Sequence, residues 1–93
     1  MILNFKNKDL RDFFQTGKSS KIAPDLQKRI MGRLDVLDQI NNHAELKSVP
    51  GFKFHSLNGF DPTRYTIHVN GPWCITFEFS EGDVAQVDLE QYH

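Results

Sequence analysis

The apolar residues of this chain change their spacing once, at Gly51. Before Gly51 they recur at intervals of three and four, the period of an amphipathic helix, and after it they alternate, the period of a strand. Helices that come first and strands that follow must bury their apolar faces against each other. This order predicts an α+β fold with two N-terminal helices packed on one face of a small antiparallel β-sheet.

Two helices are predicted before the change of period. The first opens at Lys8 or Asp9 and stops at Gly17, a common helix C-terminal signal. The second begins at Pro24, a residue that suits a first helical turn. Its single apolar face consists of Leu26, Ile30, Leu34, Leu37 and Ile40. Glycine lowers helix stability by about 1 kcal/mol relative to alanine, so Gly32 predicts a close packing contact. Residues 2–5 are expected to form a short strand.

Alternation predicts strands over 52–55, 64–69 and 73–79, with a last strand over 84–89. Asn70-Gly71-Pro72 and Glu81-Gly82-Asp83 form the turns between them. The predicted core face carries Tyr65, Ile67, Val69, Trp73, Ile75, Phe77 and Phe79, whereas His55, His68, Cys74, Thr76 and Glu78 lie on the opposite face. Residues 1–93 are expected to form one domain.

Charge is distributed unevenly along the chain. All 11 Lys and Arg residues precede Tyr65, together with 7 acidic residues, and the remainder has 5 acidic residues and no basic one. This asymmetry indicates either a surface for a polyanion or partner, or ordinary solvated faces. The same alternatives hold for Lys28, Arg29 and Arg33 on the second helix. No signal peptide and no run of about 20 apolar residues is present, so a cytoplasmic protein without membrane contact is expected.

The sequence gives little support for a metal site and none for an internal disulfide. Cys74 is the only cysteine, which excludes an internal disulfide, and the histidines lack the spacings typical of zinc sites. No metal and no cofactor is expected. His43 is expected to be a solvated loop residue, and Cys74 a buried or sheet-surface thiol. Acid/base chemistry is therefore best sought at His55 and at Tyr92-His93, because histidine titrates near neutral pH.

A resemblance rests on three segments: 53–59, which reads KFHSLNG; 65–79, which contains HVNGPWCITFEF; and 82–93, which ends in QYH. Together with 2–5 and the stop at Gly17, they resemble the HigB-type (plasmid-maintenance killer) toxins of the RelE/ParE superfamily over essentially the whole chain. The resemblance implies a RelE-like fold and a bacterial toxin that cleaves mRNA in the ribosomal A site. The implied partners are the 70S ribosome, mRNA and a helix-turn-helix antitoxin of the HigA type.

By the same resemblance, His55 and His93 are the acid/base candidates, and Tyr92 and Gln91 complete the catalytic set. The implied RNA-binding residues are Lys53, Asn58, Arg64, His68, Asn70 and Cys74. Some relatives carry lysine at the position of Asn58 and arginine at those of Asn70 and Cys74, and an aspartate often precedes the final Tyr-His where this chain has Gln91. These departures leave two alternatives open: a gyrase inhibitor-like binding module, and an inactive toxin retained for antitoxin binding.

Overall fold

The computed structural model describes residues 1–91. Its elements are helices α1 (Lys8–Thr16) and α2 (Pro24–Gln39), a 3-10 helix (His43–Ser48), and strands β1 (His55–Leu57), β2 (Arg64–Asn70), β3 (Trp73–Ser80) and β4 (Asp83–Gln91). The strands form one antiparallel sheet in the order β1-β2-β3-β4. The predicted α+β fold, with helices ahead of an antiparallel sheet, is confirmed.

Both helices begin and end where their sequence signals indicate. The side chain of Asn7 caps α1 by accepting a hydrogen bond from the Leu10 amide, and Gly17 ends it with a left-handed φ of 77°. Pro24 opens α2, because a proline in the first turn removes no intrahelical hydrogen bond. The apolar face predicted for α2 is buried at all five positions.

The close contact expected at Gly32 is wrong. A Cβ placed on this glycine would meet nothing within 4 Å, and the residue is exposed. The physical reason is its position on α2, away from the buried stripe that faces the sheet. Among the residues described, no helix is long and apolar enough to cross a membrane.

One hydrophobic core joins the helices to the sheet. From α1 it takes Leu10 and Phe13, and from α2 the face described above. The sheet contributes Ile67, Val69, Ile75, Phe77, Val84 and Val87. The apolar face predicted for β2 and β3 is therefore the face that the helices cover, which leaves the other sheet face without a helical layer.

The N-terminal residues run beside β4 instead of forming a full strand. Ile2 and Phe5 make isolated parallel bridges to Val84 and Val87. The amide of Leu3 donates to the carbonyl of Val84 at 2.7 Å. Between these bridges, Gln86 forms an irregularity in β4 with a φ of 51°, and its amide donates to Oδ1 of Asn4 at 2.6 Å. This bulge replaces the regular pairing that a continuous strand would need.

Candidate active site

The uncovered side of the sheet, called here the open face, brings the polar strand residues together. Across strands, His55 pairs with Thr66, and Thr66 pairs with Thr76. Cys74 lies between His68 on β2 and Glu90 on β4. Paired residues on one face have Cβ atoms about 4.5–5.5 Å apart, so these side chains are immediate neighbours. The placement predicted for His55, His68 and Cys74, opposite the apolar set, is confirmed.

His55 is exposed on β1 and held in one orientation. Its Nδ1 lies 2.9 Å from the carbonyl oxygen of Lys53. A carbonyl oxygen only accepts, so Nδ1 carries the proton and donates. In the neutral ring, Nε2 is then the nitrogen with a lone pair available to accept a proton. Lys53 adopts a left-handed φ of 48°, which is the local turn that directs its carbonyl toward the ring.

A half-open cavity of about 260 Å³ lies on the open face and is called here the site pocket. Its lining residues are Leu57, Phe60, Thr66, Cys74, Thr76, Glu90 and Gln91. Most of the lining surface is apolar. Cys74 is buried at its floor, as expected for a sheet thiol, whereas the ring of Phe60 is 53% exposed at the rim. Among the lining residues described, none carries a positive charge.

Arg64 lies beside the pocket, where it is buried and its guanidinium makes three hydrogen bonds. It donates from Nη2 to Thr76 Oγ1 at 3.0 Å and to the Gln86 carbonyl at 2.8 Å. Its Nη1 lies 3.4 Å from Glu78 Oε2. Because Thr76 Oγ1 accepts from Arg64, its own proton is donated to Glu90 Oε2 at 2.6 Å. The chain of bonds fixes the Glu90 carboxylate at the pocket.

Three cationic residues and a histidine gather near the end of β2. This basic cluster consists of Arg29, Arg33, Lys53 and His68. Arg33 Nε donates to the His68 carbonyl at 2.6 Å, and its guanidinium lies 4.8 Å from the centroid of the Phe52 ring. Arg29 Nη1 donates to the Val69 carbonyl at 3.3 Å. Two side chains of α2 thus satisfy backbone carbonyls at the sheet edge, a role that the helical pattern alone does not reveal.

Two members of the cluster have a lowered pKa. Burial lowers the pKa of His68 below its ordinary value, and the charges of Lys53, Arg33 and Arg29 lower it further. Burial likewise lowers the pKa of Arg33, with the charge of Arg29 adding to the effect. Because protonated His68 would face these cations, the neutral imidazole is favoured at pH 7.

Of the other predicted residues, Gln91 lines the pocket and two asparagines lie in exposed positions outside its lining. Asn58 is exposed in the turn after β1, and Asn70 is exposed at the end of β2, where it pairs with Trp73. Gln91 lines the site pocket as the last residue of β4. Tyr92 and His93 lie outside the described residues. The catalytic and RNA-binding roles of the whole predicted set stay predictions.

The expectation for His43 is wrong, because its ring is packed among aromatic side chains. It stacks on Tyr65 with a centroid separation of 4.8 Å and meets Phe79 edge-on at 5.3 Å. Phe54 lies at 5.8 Å. Nδ1 of His43 is buried and has no hydrogen-bond partner within residues 1–91. The 3-10 helix that follows α2, which the sequence suggested was a loop, carries the ring into this position.

Five of the seven residues that line the pocket are not predicted from the sequence: Leu57, Phe60, Thr66, Thr76 and Glu90. The sequence patterns present Thr66 and Thr76 as ordinary strand residues and end the last strand before Glu90, and the convergence of these side chains depends on cross-strand register. Phe60 had a usable signal, since a phenylalanine in a polar loop next to a turn glycine has no core position to fill. Across residues 1–91 no group of three or more His, Cys, Asp or Glu side chains is arranged to hold a metal ion.

Comparison with known proteins identifies the family. The model of the HigB-like toxins, described as RelE-like toxins of the type II toxin-antitoxin system HigB, matches residues 3–93. The chain belongs to this HigB-like toxin family. The toxin expected from the resemblance is thereby confirmed at family level, and toxins of this class are paired with an antitoxin, as the family description states.

Relatives align over nearly the full chain. Endoribonuclease HigB of Proteus vulgaris is 34% identical over 93 residues, covering 100% of both proteins. Toxin HigB-1 of Vibrio cholerae is 28% identical, covering 99% of this chain and 98% of the relative. An uncharacterized protein of Haemophilus influenzae is also 28% identical, over 98% of this chain and 96% of its own length. The HigB-like family thus includes proteins named as toxins and as an endoribonuclease.

Proposed function

We propose that residues 1–93 form one toxin domain that acts as a ribosome-dependent endoribonuclease, cutting mRNA in the A site by metal-free acid/base catalysis. The observation that most directly supports this is the hydrogen bond between His55 Nδ1 and the Lys53 carbonyl, 2.9 Å long. It leaves Nε2 as a proton acceptor on an exposed strand of the open face. The name of the Proteus vulgaris relative, an endoribonuclease, agrees with this activity.

The proposed reaction needs one base and one acid. His55 Nε2 removes the proton from the ribose 2′-hydroxyl, and the 2′-oxygen attacks the adjacent phosphorus. The bond from phosphorus to the 5′-oxygen of the next nucleotide breaks, and His93 donates a proton to that oxygen. The products are a 2′,3′-cyclic phosphate and a 5′-hydroxyl. Tyr92 donates a hydrogen bond to the phosphate, and Gln91 positions the terminal pair.

The RNA backbone is held by residues around the open face. Lys53 and His68, in the basic cluster, lie on the side of His55, and Asn58 and Asn70 offer amide donors from the two exposed turns. Arg64 and Cys74 contribute from buried positions: Arg64 aligns Thr76 and Glu90 through its hydrogen bonds, and Cys74 forms part of the pocket floor. A phosphate bound beside the cluster would be stabilised mainly by charge.

The proposed setting is that of the family. The toxin is paired with a helix-turn-helix antitoxin of the HigA type and acts on mRNA in the 70S ribosome, which places it in the bacterial cytoplasm. The open face carries few cations, so we do not expect it to hold an RNA strand in the reactive geometry by itself. We propose that the ribosome holds the message in that geometry, which makes the activity ribosome-dependent.

A purified translation reaction with programmed ribosomes tests the proposal. The unchanged protein is compared with His55→Ala, His93→Ala and, as a matched control, Ser56→Ala, which alters the neighbouring residue of β1. Primer extension locates any cut. Acid/base groups typically contribute about 10²–10⁴-fold in rate, so we expect both histidine variants to lose cleavage by that factor and Ser56→Ala to retain it.

The outcomes test separately whether the protein cuts RNA and whether His55 is the base. A message left intact by the unchanged protein, on ribosomes whose A site presents a codon but holds no tRNA, would contradict the endonuclease proposal. Cleavage by His55→Ala at the original rate would leave the endonuclease in place and refute the base. Thermal unfolding of each variant shows whether a loss reflects folding, which we do not expect at an exposed position such as His55.

A second candidate is a non-nucleolytic toxin that binds gyrase or another protein. The observation that favours it is that none of the lining residues within 1–91 is a cation; some relatives carry an arginine at the position of Cys74. Induction in cells distinguishes the two. Intact RNA with a DNA-damage response would support gyrase binding, whereas cleaved message with arrested protein synthesis would support the endonuclease.

A further inference from the structure

The bulge in β4 has both backbone groups of its central residue bound by side chains from other elements. The Gln86 amide donates to Asn4 Oδ1 at 2.6 Å, and its carbonyl accepts from Arg64 Nη2 at 2.8 Å. Gln86 stands where the regular pairing of β3 with β4 is interrupted, so these side chains take the place of ladder partners. The N-terminal segment and β2 therefore both anchor the bulge.

The same guanidinium nitrogen connects the bulge to the end of β4. Arg64 Nη2 carries a second hydrogen, which it donates to Thr76 Oγ1 at 3.0 Å, and Thr76 Oγ1 donates to Glu90 Oε2 at 2.6 Å. Arginine has no acceptor, so the donation runs in one direction, from Arg64 through Thr76 to Glu90. Four hydrogen bonds thus join Asn4 to Glu90 through Gln86, Arg64 and Thr76, and these five residues are called here the relay.

The relay has a buried middle and exposed ends. Arg64 is 7% exposed and Thr76 is 2% exposed, whereas Asn4 and Glu90 are exposed. Water would satisfy the exposed carboxylate of Glu90 equally well, so its bond to Thr76 is not needed to avoid an unpaired group. What this bond does is hold the Glu90 side chain at one place on the sheet, and the buried bonds behind it keep that place fixed.

We propose that the relay positions the terminal pair, Tyr92 and His93, for the cleavage reaction. Glu90 ends the relay one residue before the end of β4, and it precedes Tyr92 by two positions in the sequence. A Glu90 side chain bound to β3 fixes the part of β4 from which the terminal pair continues. All five relay residues act through that pair, so they are positioning residues, and Asn4 is the most distant of them along the relay. The proposal rests on the endonuclease function above and adds to it the means by which the sheet holds the acid in place.

Single substitutions test the relay on programmed ribosomes. Misplacing a reacting group by about 1 Å lowers a rate by about 10²-fold, and substitutions along a coupled network act by roughly 2–30-fold. We therefore expect Thr76→Val and Glu90→Ala to lower kcat by roughly 10–100-fold and Asn4→Ala by roughly 2–30-fold, each with KM nearly unchanged. Thr76→Ser and Asn4→Asp keep the bonding atom and should retain the activity. Asp88→Ala, which removes a carboxylate from the same face of β4, is the matched control and should also retain it.

A message with sulfur in place of the 5′-oxygen at the cut separates positioning of the acid from a general structural role. When the 2′-oxygen attacks phosphorus in this message, the phosphorus–sulfur bond breaks and the sulfur leaves with the electron pair as a thiolate, which needs no proton from an acid. We expect His93→Ala and the relay variants to cut it at close to the rate of the unchanged protein, whereas His55→Ala stays slow because the base is still required. Relay variants that are equally impaired on both messages would overturn the proposal.

The isolated protein gives a second readout that does not depend on cleavage. The ring signals of His93, identified by their loss in His93→Ala, are followed by NMR. We expect Asn4→Ala and Thr76→Val to shift these signals and Asn4→Asp and Thr76→Ser to leave them unchanged, with thermal unfolding showing that each variant is folded. Asn4 is exposed, so its two variants keep the test valid even if Thr76→Val does not fold.

The two readouts distinguish this proposal from the endonuclease. If the unchanged protein never cuts the message, the endonuclease fails and the ring signals of His93 alone decide: a shift in the relay variants supports the relay. Unchanged ring signals, or a kcat that Glu90→Ala and Asn4→Ala both leave intact, would overturn it.

Discussion

At the scale of single residues, Arg64 links three strands of the sheet through its hydrogen bonds on the open face. Its guanidinium joins β2 to Thr76 on β3 and to the Gln86 carbonyl on β4, and it is 7% exposed. Its pairing with Glu78 adds a partly buried ion pair. Removing one partner of such a network leaves several buried polar groups unpaired, which is more costly than losing the bonds themselves.

We therefore expect Arg64→Met to lower the free energy of unfolding by roughly 2–4 kcal/mol. Urea unfolding followed by circular dichroism measures this. Lys18→Ala, which also removes one positive charge but from an exposed position, is the control and should change stability by less than about 0.5 kcal/mol. Equal stability of Arg64→Met and the unchanged protein would show that the network contributes no net stability.

The ring of His43 fills an aromatic cluster but keeps a buried nitrogen without a partner. His43→Phe should preserve the packing and remove the unpaired group, so we expect a gain of roughly 1 kcal/mol. His43→Ala should instead lose roughly 2–4 kcal/mol, because it leaves a cavity between Tyr65 and Phe79. Thermal unfolding of both variants checks the prediction, and a destabilised Phe variant would mean that the imidazole nitrogen is satisfied.

The pKa of His68 gives a pH dependence with a definite sign. Because burial and neighbouring cations lower this pKa in the folded protein, the unfolded chain binds the proton first as the pH falls. The contribution of His68 to the free energy of unfolding is fully present above its pKa in the unfolded chain, about 6.5. It decreases as the pH falls from that value to the lower pKa of the folded protein. We expect the free energy of unfolding to fall less between pH 7 and pH 5 in His68→Gln than in the unchanged protein. Urea unfolding at both pH values measures this difference.

At the scale of elements, β4 is bent by the bulge at Gln86. This residue has a left-handed φ of 51°, its amide donates to Asn4, and its carbonyl accepts from Arg64. The bulge therefore connects the N-terminal segment to the open face. It also displaces the strand register between Thr76 and Glu78, which brings Glu90 opposite Cys74 and next to the pocket.

Substitutions at Gln86 should follow its backbone conformation. Gly tolerates a positive φ, whereas a β-branched side chain there is strained by about 1–2 kcal/mol. We expect Gln86→Gly to be about as stable as the unchanged protein and Gln86→Val to be at least about 1 kcal/mol less stable. Urea unfolding distinguishes them, and equal stabilities would mean that β4 can adopt a regular strand without the bulge.

At the scale of the whole molecule, the basic cluster and the acidic residues of β4 lie in different parts of the fold. The basic cluster joins α2 to the end of β2, whereas Glu90, Asp88 and Asp83 lie on β4, the far side of the sheet. A message or ribosomal RNA bound to this protein is therefore expected to lie over the β1 and β2 side. Such binding is driven largely by the release of counterions.

Ribosome association should consequently weaken as salt rises. In a plot of the logarithm of the association constant against the logarithm of the salt concentration, the slope reports how many phosphates the protein contacts. If Lys53 contacts one phosphate, Lys53→Ala should make this slope shallower by roughly one unit. Lys6→Ala is the matched control, since Lys6 lies beside β4 at the opposite edge of the sheet. Co-sedimentation with ribosomes at several salt concentrations measures both, and identical slopes would place the RNA away from the basic cluster.

Much of the fold could be read from local patterns. The α2 face, the Asn7 and Gly17 signals and the alternation of β2 and β3 each depend on a few neighbouring residues, and the structure agrees with them. The errors include Gly32 and His43, the strand expected over 2–5, which forms only isolated bridges, and the strand predicted over 52–55, which the structure has at His55–Leu57. In each case the outcome depends on what packs or pairs from elsewhere in the chain. The spacing of apolar residues does not show whether another element packs against Gly32, or whether aromatic side chains surround His43.

The sequence by itself determined the order of helices and strands and the face that the second helix and the two central strands bury, because periodicity and turn residues act over a few positions. The candidacy of His55 for acid/base chemistry came from its residue type and from the family resemblance, and it stays a prediction. Only the tertiary structure decided that Lys53 orients His55, that Arg64 is buried in a network, and that Thr66 and Glu90 meet at one pocket. The reason is register: a cross-strand neighbour is set by how strands pair and bulge, and this depends on the whole sheet.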